Sequence, residues 1–296
     1  MRRGAILRHM TNSQPTPLPA QAPDAYSALV VAASRLGVED LLARHGGVSH
    51  KCFIDVAGEP MLRIVVRALL ESGRIGHVVV SIDEAARGEA EALLAPLDGH
   101  ISVVSSRPTL GASVLSAINE IPDLLPLVIT TGDNALHTPE MVRYFCDALD
   151  DCEGDAAIGL TRAEVLLAAH PEGNRAFHRF RDMQVSGCNL YALLTHKSAE
   201  AARVFDSGGQ FAKKPWRFLA SFGLPAYIVY KSRLATFGRF MSFLSRGLRI
   251  EARAVFMPFP EGPIDVDRVS DWKLAERIIR ERRAGGRDNS SMQECA

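Results

Sequence analysis

Between residues 28 and 149, strand-sized apolar runs alternate four times with segments of helical period, a rhythm that few folds accept. The run Ala28-Leu29-Val30-Val31-Ala32-Ala33 carries no polar alternation, as expected of a strand buried on both faces of a parallel sheet. Further strands are predicted at 77–82, 101–104 and 125–131, and helices at 60–72, 84–94, 113–121 and 138–149. The last helix has a readable start: Thr138 can cap it, and Pro139 sits in the first turn, where a missing N–H costs nothing. Strands alternating with helices in this way form a three-layer, doubly wound, mostly parallel α/β sheet.

Beyond residue 160 the rhythm changes. Strands are predicted at 176–181 and 187–194, a helix at 197–205, a mostly helical aromatic stretch at 213–247 and a last strand at 250–256. An extended segment, 264–267, precedes a terminal helix over 270–283. The Pro-rich residues 1–25 read as a disordered arm and 285–296 as a flexible tail. That leaves one domain, 26–284, with 195–260 as a substrate-side insert.

With 47% hydrophobic and 23% charged residues the chain is globular, and its formal net charge of 0 offers no global attraction to nucleic acid. No apolar run reaches the ~18 residues that cross a bilayer. Five cysteines without a C-x-x-C pair argue against a disulfide framework or structural zinc, and the N-terminal stretch lacks an apolar signal core, so a cytoplasmic location is expected. Neither G-x-x-x-x-G-K-[ST] nor G-x-G-x-x-G is present, which disfavours a P-loop ATPase or a dinucleotide dehydrogenase.

After the first strand comes Ser34-Arg35-Leu36-Gly37, then Gly46-Gly47-Val48-Ser49-His50-Lys51, then Val56-Ala57-Gly58-Glu59-Pro60-Met61. An apolar strand, a small-residue loop with a basic residue, and a lysine ahead of V-x-G-x-P-[ML] resemble the opening of the MobA-like nucleotidyltransferases, relatives of the sugar-nucleotide and CDP-alcohol pyrophosphorylases. Where many members carry Gly, this chain has Ala33 and Ser34. The resemblance spans roughly residues 27–283, weakest over 195–260. It implies a Rossmann-type sheet and an NTP bound by Ala32, Ala33, Ser34, Arg35 and Lys51. The chemistry agrees, since a loop leaving a parallel strand supplies backbone N–H groups and the two cations neutralise phosphate. On residue type alone, Arg35 and Lys51 read as ordinary surface cations.

Leu127-Val128-Ile129-Thr130-Thr131-Gly132-Asp133-Asn134 is a buried strand ending in an aspartate. Alone, Asp133 reads as a turn residue; the resemblance makes it a carboxylate ligand of Mg²⁺, a hard cation that takes oxygen donors. Asp265-Val266-Asp267, followed by Asp271-Trp272, resembles the family's closing D-[IV]-D-x-x-x-D-[LW]. There Asp265 or Asp267 completes the metal site, with Asp267 favoured, while Asp271 reads as a helix cap. By the same resemblance, Gly111 and Ser113 contact base and ribose, and Asn189, within Gly187-Cys188-Asn189-Leu190-Tyr191, contacts the second substrate. A turn glycine and satisfied buried polar groups are the structural alternatives.

Residues 203–253 hold ten Lys and Arg against two acidic residues, interleaved with aromatics. Either the aromatics are the core of a substrate-side cap, or this insert makes peripheral membrane contact or holds a lipid-like acceptor. The resulting expectation is a transferase moving NMP from an NTP, CTP first, to a phosphorylated small-molecule or lipid-like acceptor with release of pyrophosphate. Arg35, Lys51 and Asp133 form the catalytic set, no general base is needed, and the oligomer is left open. The rival readings are a nucleotide-sugar glycosyltransferase, disfavoured by Gly132-Asp133-Asn134 where D-x-D is expected, and a catalytically silent nucleotide-binding or membrane-docking protein.

Overall fold

The computed structural model describes residues 25–34, 40–171, 176–199, 202, 224, 227–228 and 230–293, with 286–293 by backbone alone. Its main sheet has eight strands: β1 (Tyr26–Val31), β4 (Ile75–Ile82), β5 (Ile101–Ser105), β6 (Leu127–Thr131), β7 (Ala156–Arg162), β8 (His178–Arg179), β9 (Gln184–Leu193) and β10 (Ala252–Phe256). They run in the order β10-β7-β9-β6-β1-β4-β5, with β8 paired to β9. The β6-β1-β4-β5 half is all parallel, as its unbroken apolar runs require, and β9 enters antiparallel between β6 and β7.

Period-two alternation divides the core. Ala28, Val30, Val78, Val80 and Val128 face α2 (Met61–Glu71), α3 (Arg87–Leu94) and α5 (Pro139–Asp150). Leu29, Val79, Leu127 and Ile129 face α4 (Leu110–Glu120), and on the same side Leu160 and Val185 pack on Phe237 of α8 (Phe237–Leu248). Two short helices complete these layers, α6 (Ala163–Ala169) and α7 (His196–Ala199). Thr138 caps α5 as read, its side chain accepting from the Met141 N–H.

The V-x-G-x-P motif has a plain backbone reason. It forms a two-residue hairpin between β2 (Asp55–Val56) and β3 (Glu59–Pro60), with Ala57 at φ 55° and Gly58 at φ 90°, the double positive φ of a type I′ turn. Together with α1 (Leu41–Gly46), the hairpin packs on the terminal helix α9 (Val269–Gln293) through Leu42, Ile54, Val56, Ala275, Ile278 and Ile279.

Several boundaries differ from the reading above. β7 and α6 were not anticipated, because Ala156, Ala157 and Gly159 have low strand propensity; a Cβ on Gly159 would lie 3.3 Å from Leu190 Cβ, so close strand packing selects the small residue. The strand expected at 176–181 is only the pair His178–Arg179, and helix α4 starts at Leu110 because Thr109, rather than a later residue, accepts from the Ala112 N–H. Helix α9 continues to Gln293 through the segment read as a tail, propagating from an anchored start. Arg35, most of the arm and 203–223 of the insert lie outside the described residues.

Three histidines sit in this scaffold with pKa values lowered to about 4. Burial is the main cause at each: His77, also stacked 3.9 Å from His100; His137, whose Nε2 donates to the Cys188 carbonyl at 2.9 Å; and His178, whose Nδ1 lies 2.8 Å from Tyr230 Oη. A base whose folded pKa lies below its unfolded value of ~6.5 stays unprotonated in the fold while the unfolded chain takes up protons, so stability is lost as pH falls from 6.5 towards 4. Thermal melts should show the midpoint dropping by roughly 5–10 °C between pH 7 and pH 5, with a shallower drop in His77→Gln.

Candidate active site

The parallel strands β1, β4 and β6 all end at one edge of the sheet, where the chain leaves the ladder and side chains can converge. The Gly132 N–H still bonds the Val31 carbonyl at 3.0 Å, and Asp133 is the next residue. A Cβ on Gly132 would lie 3.1 Å from Ala32 Cβ and 3.2 Å from Cys52 Cβ, so the glycine lets the exit of β6 lie against the exit of β1. Ala32 is buried in that contact, and Ala33 and Ser34 follow it half-buried.

Lys51 opens a short 3₁₀ turn, Lys51–Phe53. Its Nζ donates to Asp133 Oδ2 at 2.6 Å and to Asp267 Oδ1 at 2.9 Å, with the side chain 20% exposed. Burial alone would lower its pKa; Asp133 and Asp267 outweigh that and hold the ammonium well above the ordinary lysine range.

Asp267 arrives from the far end of the chain. Ile264 and Val266 are fully buried beneath α9, and the Val266 N–H bonds the Asp133 carbonyl at 3.0 Å, so the intervening Asp265 and the following Asp267 project the other way. Asp133, Asp265 and Asp267 each offer a carboxylate oxygen, all within 4.8 Å of one another. This all-oxygen donor set fits a hard divalent cation and includes both members of the D-V-D pair. Asp271 stands apart as the cap read from the sequence: its Oδ2 accepts from the N–H groups of Asp267 (3.3 Å) and Arg268 (3.1 Å).

A second layer orients Asp133. Thr131 Oγ1 donates to Asp133 Oδ1, Asn134 Nδ2 donates to Thr131 Oγ1, and Asn189 Nδ2 donates to Asn134 Oδ1 at 3.1 Å. Asn189 has φ 51°, a left-handed conformation that asparagine tolerates, and its amide has a scaffold partner in Asn134 just beyond β6.

Gly111 and Ser113 lie elsewhere, in the first turn of α4 after β5, three strands along from β6. Both are buried, and Ser113 Oγ accepts from the Arg107 N–H at 2.9 Å, closing the 107–113 loop on itself. They are not part of the acidic cluster. Sequence reasoning did not single out Thr131 or Asn134, whose side chains hold Asp133 in place.

The cluster leads to a prediction. In Lys51→Met, Asp133 and Asp267 lose the cation they share while Asp265 stays beside them, which should destabilise the chelator-treated protein by about 2–4 kcal/mol. Adding Mg²⁺ should then raise the melting midpoint of Lys51→Met by more than that of the wild type; equal shifts would mean the acids do not hold the ion.

Over 130 residues the chain is 36% identical to a 2-C-methyl-D-erythritol 4-phosphate cytidylyltransferase from Saccharopolyspora erythraea, a match covering 42% of this chain and 54% of the relative. The chain thus spans about half the length of that curated relative. Among solved structures, a hypothetical transferase from Thermus thermophilus superposes with a TM-score of 0.68 at 24% identity, covering 84% of this chain and 99% of that one. A 4-diphosphocytidyl-2C-methyl-D-erythritol synthase from Anaerococcus prevotii superposes with a TM-score of 0.54 at 14% identity, covering 87% and 99%. At these identities the superpositions establish the doubly wound fold. Residues 32–220, most of the chain, match the family model of the MobA-like NTP transferase domain, and the protein belongs to that family.

Proposed function

We propose that this protein is a cytidylyltransferase-type enzyme that moves CMP from CTP to the phosphate of a small phosphorylated acceptor, releasing pyrophosphate. The observation that carries the reading is the meeting of Lys51, Asp133, Asp265 and Asp267 at one sheet edge beside the exit of β1. The cytidylyl group follows the names of the similar proteins and the acceptor phosphate follows the Saccharopolyspora relative.

In this reading Asp133, Asp265 and Asp267 hold Mg²⁺, which when bound neutralises charge on the α-phosphate and on the pyrophosphate leaving group. Lys51, held charged at the same edge, and Arg35 supply cations to phosphate oxygens. Thr131 and Asn134 keep Asp133 aimed at the cleft. An acceptor phosphate is already ionised near neutral pH, so it attacks without a general base. That fits a site where the lysine is locked in its charged form and the nearby His137, enclosed and with its pKa pushed down to about 4 by burial, is too weak a base to take a proton near neutral pH.

Pyrophosphate release in the presence of Mg²⁺, CTP and a pool of phosphorylated polyols tests this. The wild type should turn over, CTP should exceed the other three NTPs, and Asp133→Asn should lose at least about 10²-fold. Turnover with nucleotide sugars but not NTPs would favour a glycosyltransferase, and no product from any donor a silent binding protein.

A distinct observation bears on location. No helix among the described residues is long and apolar enough to cross a membrane. Yet Lys231, Arg233, Arg239, Arg246 and Arg249 are exposed, no acidic residue lies between 224 and 249, and Leu224, Ile228 and Leu234 expose 58%, 55% and 74% of their surface. Exposed cations interspersed along the sequence with exposed aliphatic side chains suit an anionic bilayer surface, and we propose that the described part of this segment docks there. Co-sedimentation with phosphatidylserine-containing vesicles should fall with salt and drop at least about fivefold in Ile228→Glu/Leu234→Glu. Equal sedimentation of variant and wild type would refute the contact.

A further inference from the structure

The last ladder bonds joining β4 to its neighbours are Ala32 N–H to the Ser81 carbonyl (2.9 Å) and Ser106 N–H to the Ile82 carbonyl (2.7 Å). Beyond them a single side chain takes over. Asp83 Oδ2 accepts from the Ser34 N–H at 2.9 Å and from His50 Nε2 at 2.9 Å, and Asp83 Oδ1 accepts from Ser106 Oγ at 3.3 Å. His50 is buried, packs on Phe53 with ring centroids 5.6 Å apart, and immediately precedes Lys51. Its other nitrogen lies 3.1 Å from Ser49 Oγ, which donates to Glu89 Oε2 at 2.9 Å.

We infer that Asp83 is a positioning residue of the nucleotide site, one carboxylate that sets the turn after β1, the Lys51 segment and the loop after β5 in a common register. This deepens the nucleotidyltransferase reading and rests on it. Segments that have left a sheet keep no ladder to hold them, and small displacements of groups that contact phosphate are costly to catalysis. A carboxylate placed here to attract a nucleotide would instead repel its triphosphate. Its value lies in its three donors, each from a different segment, and ionised acceptors make the stronger hydrogen bonds.

The geometry also says which substitution is tolerated. Ser34 and His50 share one oxygen, while the other meets only a hydroxyl, which can accept as well as donate. Asparagine with its oxygen in the shared place and its NH₂ toward Ser106 Oγ therefore keeps all three contacts, whereas alanine keeps none.

The test compares wild type, Asp83→Asn, Asp83→Ala and Ser106→Ala by melting midpoint, by KM and kcat for CTP in pyrophosphate release, and by calorimetric binding of Mg²⁺-tripolyphosphate. Asp83→Ala should raise KM and weaken tripolyphosphate binding by about tenfold or more, with Asp83→Asn within about threefold of wild type. Unchanged KM and binding in Asp83→Ala, or an Asp83→Asn as impaired as Asp83→Ala, overturns the assignment while the transferase reading stands. If Asp83→Ala fails to fold, Asp83→Asn and Ser106→Ala decide: the assignment needs near-native binding in the first and a measurable loss, about twofold or more, in the second. A wild type whose tripolyphosphate binding depends on Asp83 as stated but which releases no pyrophosphate overturns the transferase reading alone; one that neither binds tripolyphosphate nor releases pyrophosphate overturns both.

Discussion

Three carboxylates within 4.8 Å of one another repel strongly, and the Lys51 ammonium, bonded to two of them, is what lets the described fold hold them together. At an effective dielectric of ~20, a pair of unit charges 4 Å apart interacts by about 4 kcal/mol, so neither the acids nor the lysine are tolerable there alone. The contacts join residues 82 and 216 positions apart in the chain. A site of this kind therefore exists only when the first and last thirds of the domain are docked.

That docking is the work of α9. Its buried Ala275, Ile278 and Ile279 pack against the hairpin at 55–60, Trp272 Nε1 donates to the Asp55 carbonyl at 2.8 Å, and Arg282 donates to the Leu136 carbonyl at 3.1 Å while lying 3.3 Å from Glu261. The strand-like segment holding Asp265 and Asp267 is thereby pressed against the exit of β6. The V-x-G-x-P turn is thus more than a loop signature: it is the surface on which the described end of the domain is seated, and so it bears on the placement of Asp265 and Asp267 at a distance.

Legibility followed the range of the interactions involved. The strands 77–82 and 101–104 and the Thr138 cap are local patterns, and their positions hold within a few residues. β7 was not legible, because its Ala156, Ala157 and Gly159 are selected by packing on β9 and α5 rather than by propensity. In the site, the convergence of Asp133, Asp265, Asp267 and Lys51 came from motif resemblance. The contacts of Thr131 and Asn134 with Asp133 did not, because hydrogen-bond partners leave no periodic trace.

By itself, the sequence determined the alternation of buried strands and helices, the acidic residues after β6 and before α9, and the glycine turn ahead of α2, because each is written in neighbouring residues. Only the tertiary structure decided that Ser113 closes its own loop, that the Asn189 amide braces Asn134, and that Lys51 is shared between Asp133 and Asp267. A polar side chain's partner depends on which strand exits stand side by side, and strand order is a property of the folded sheet.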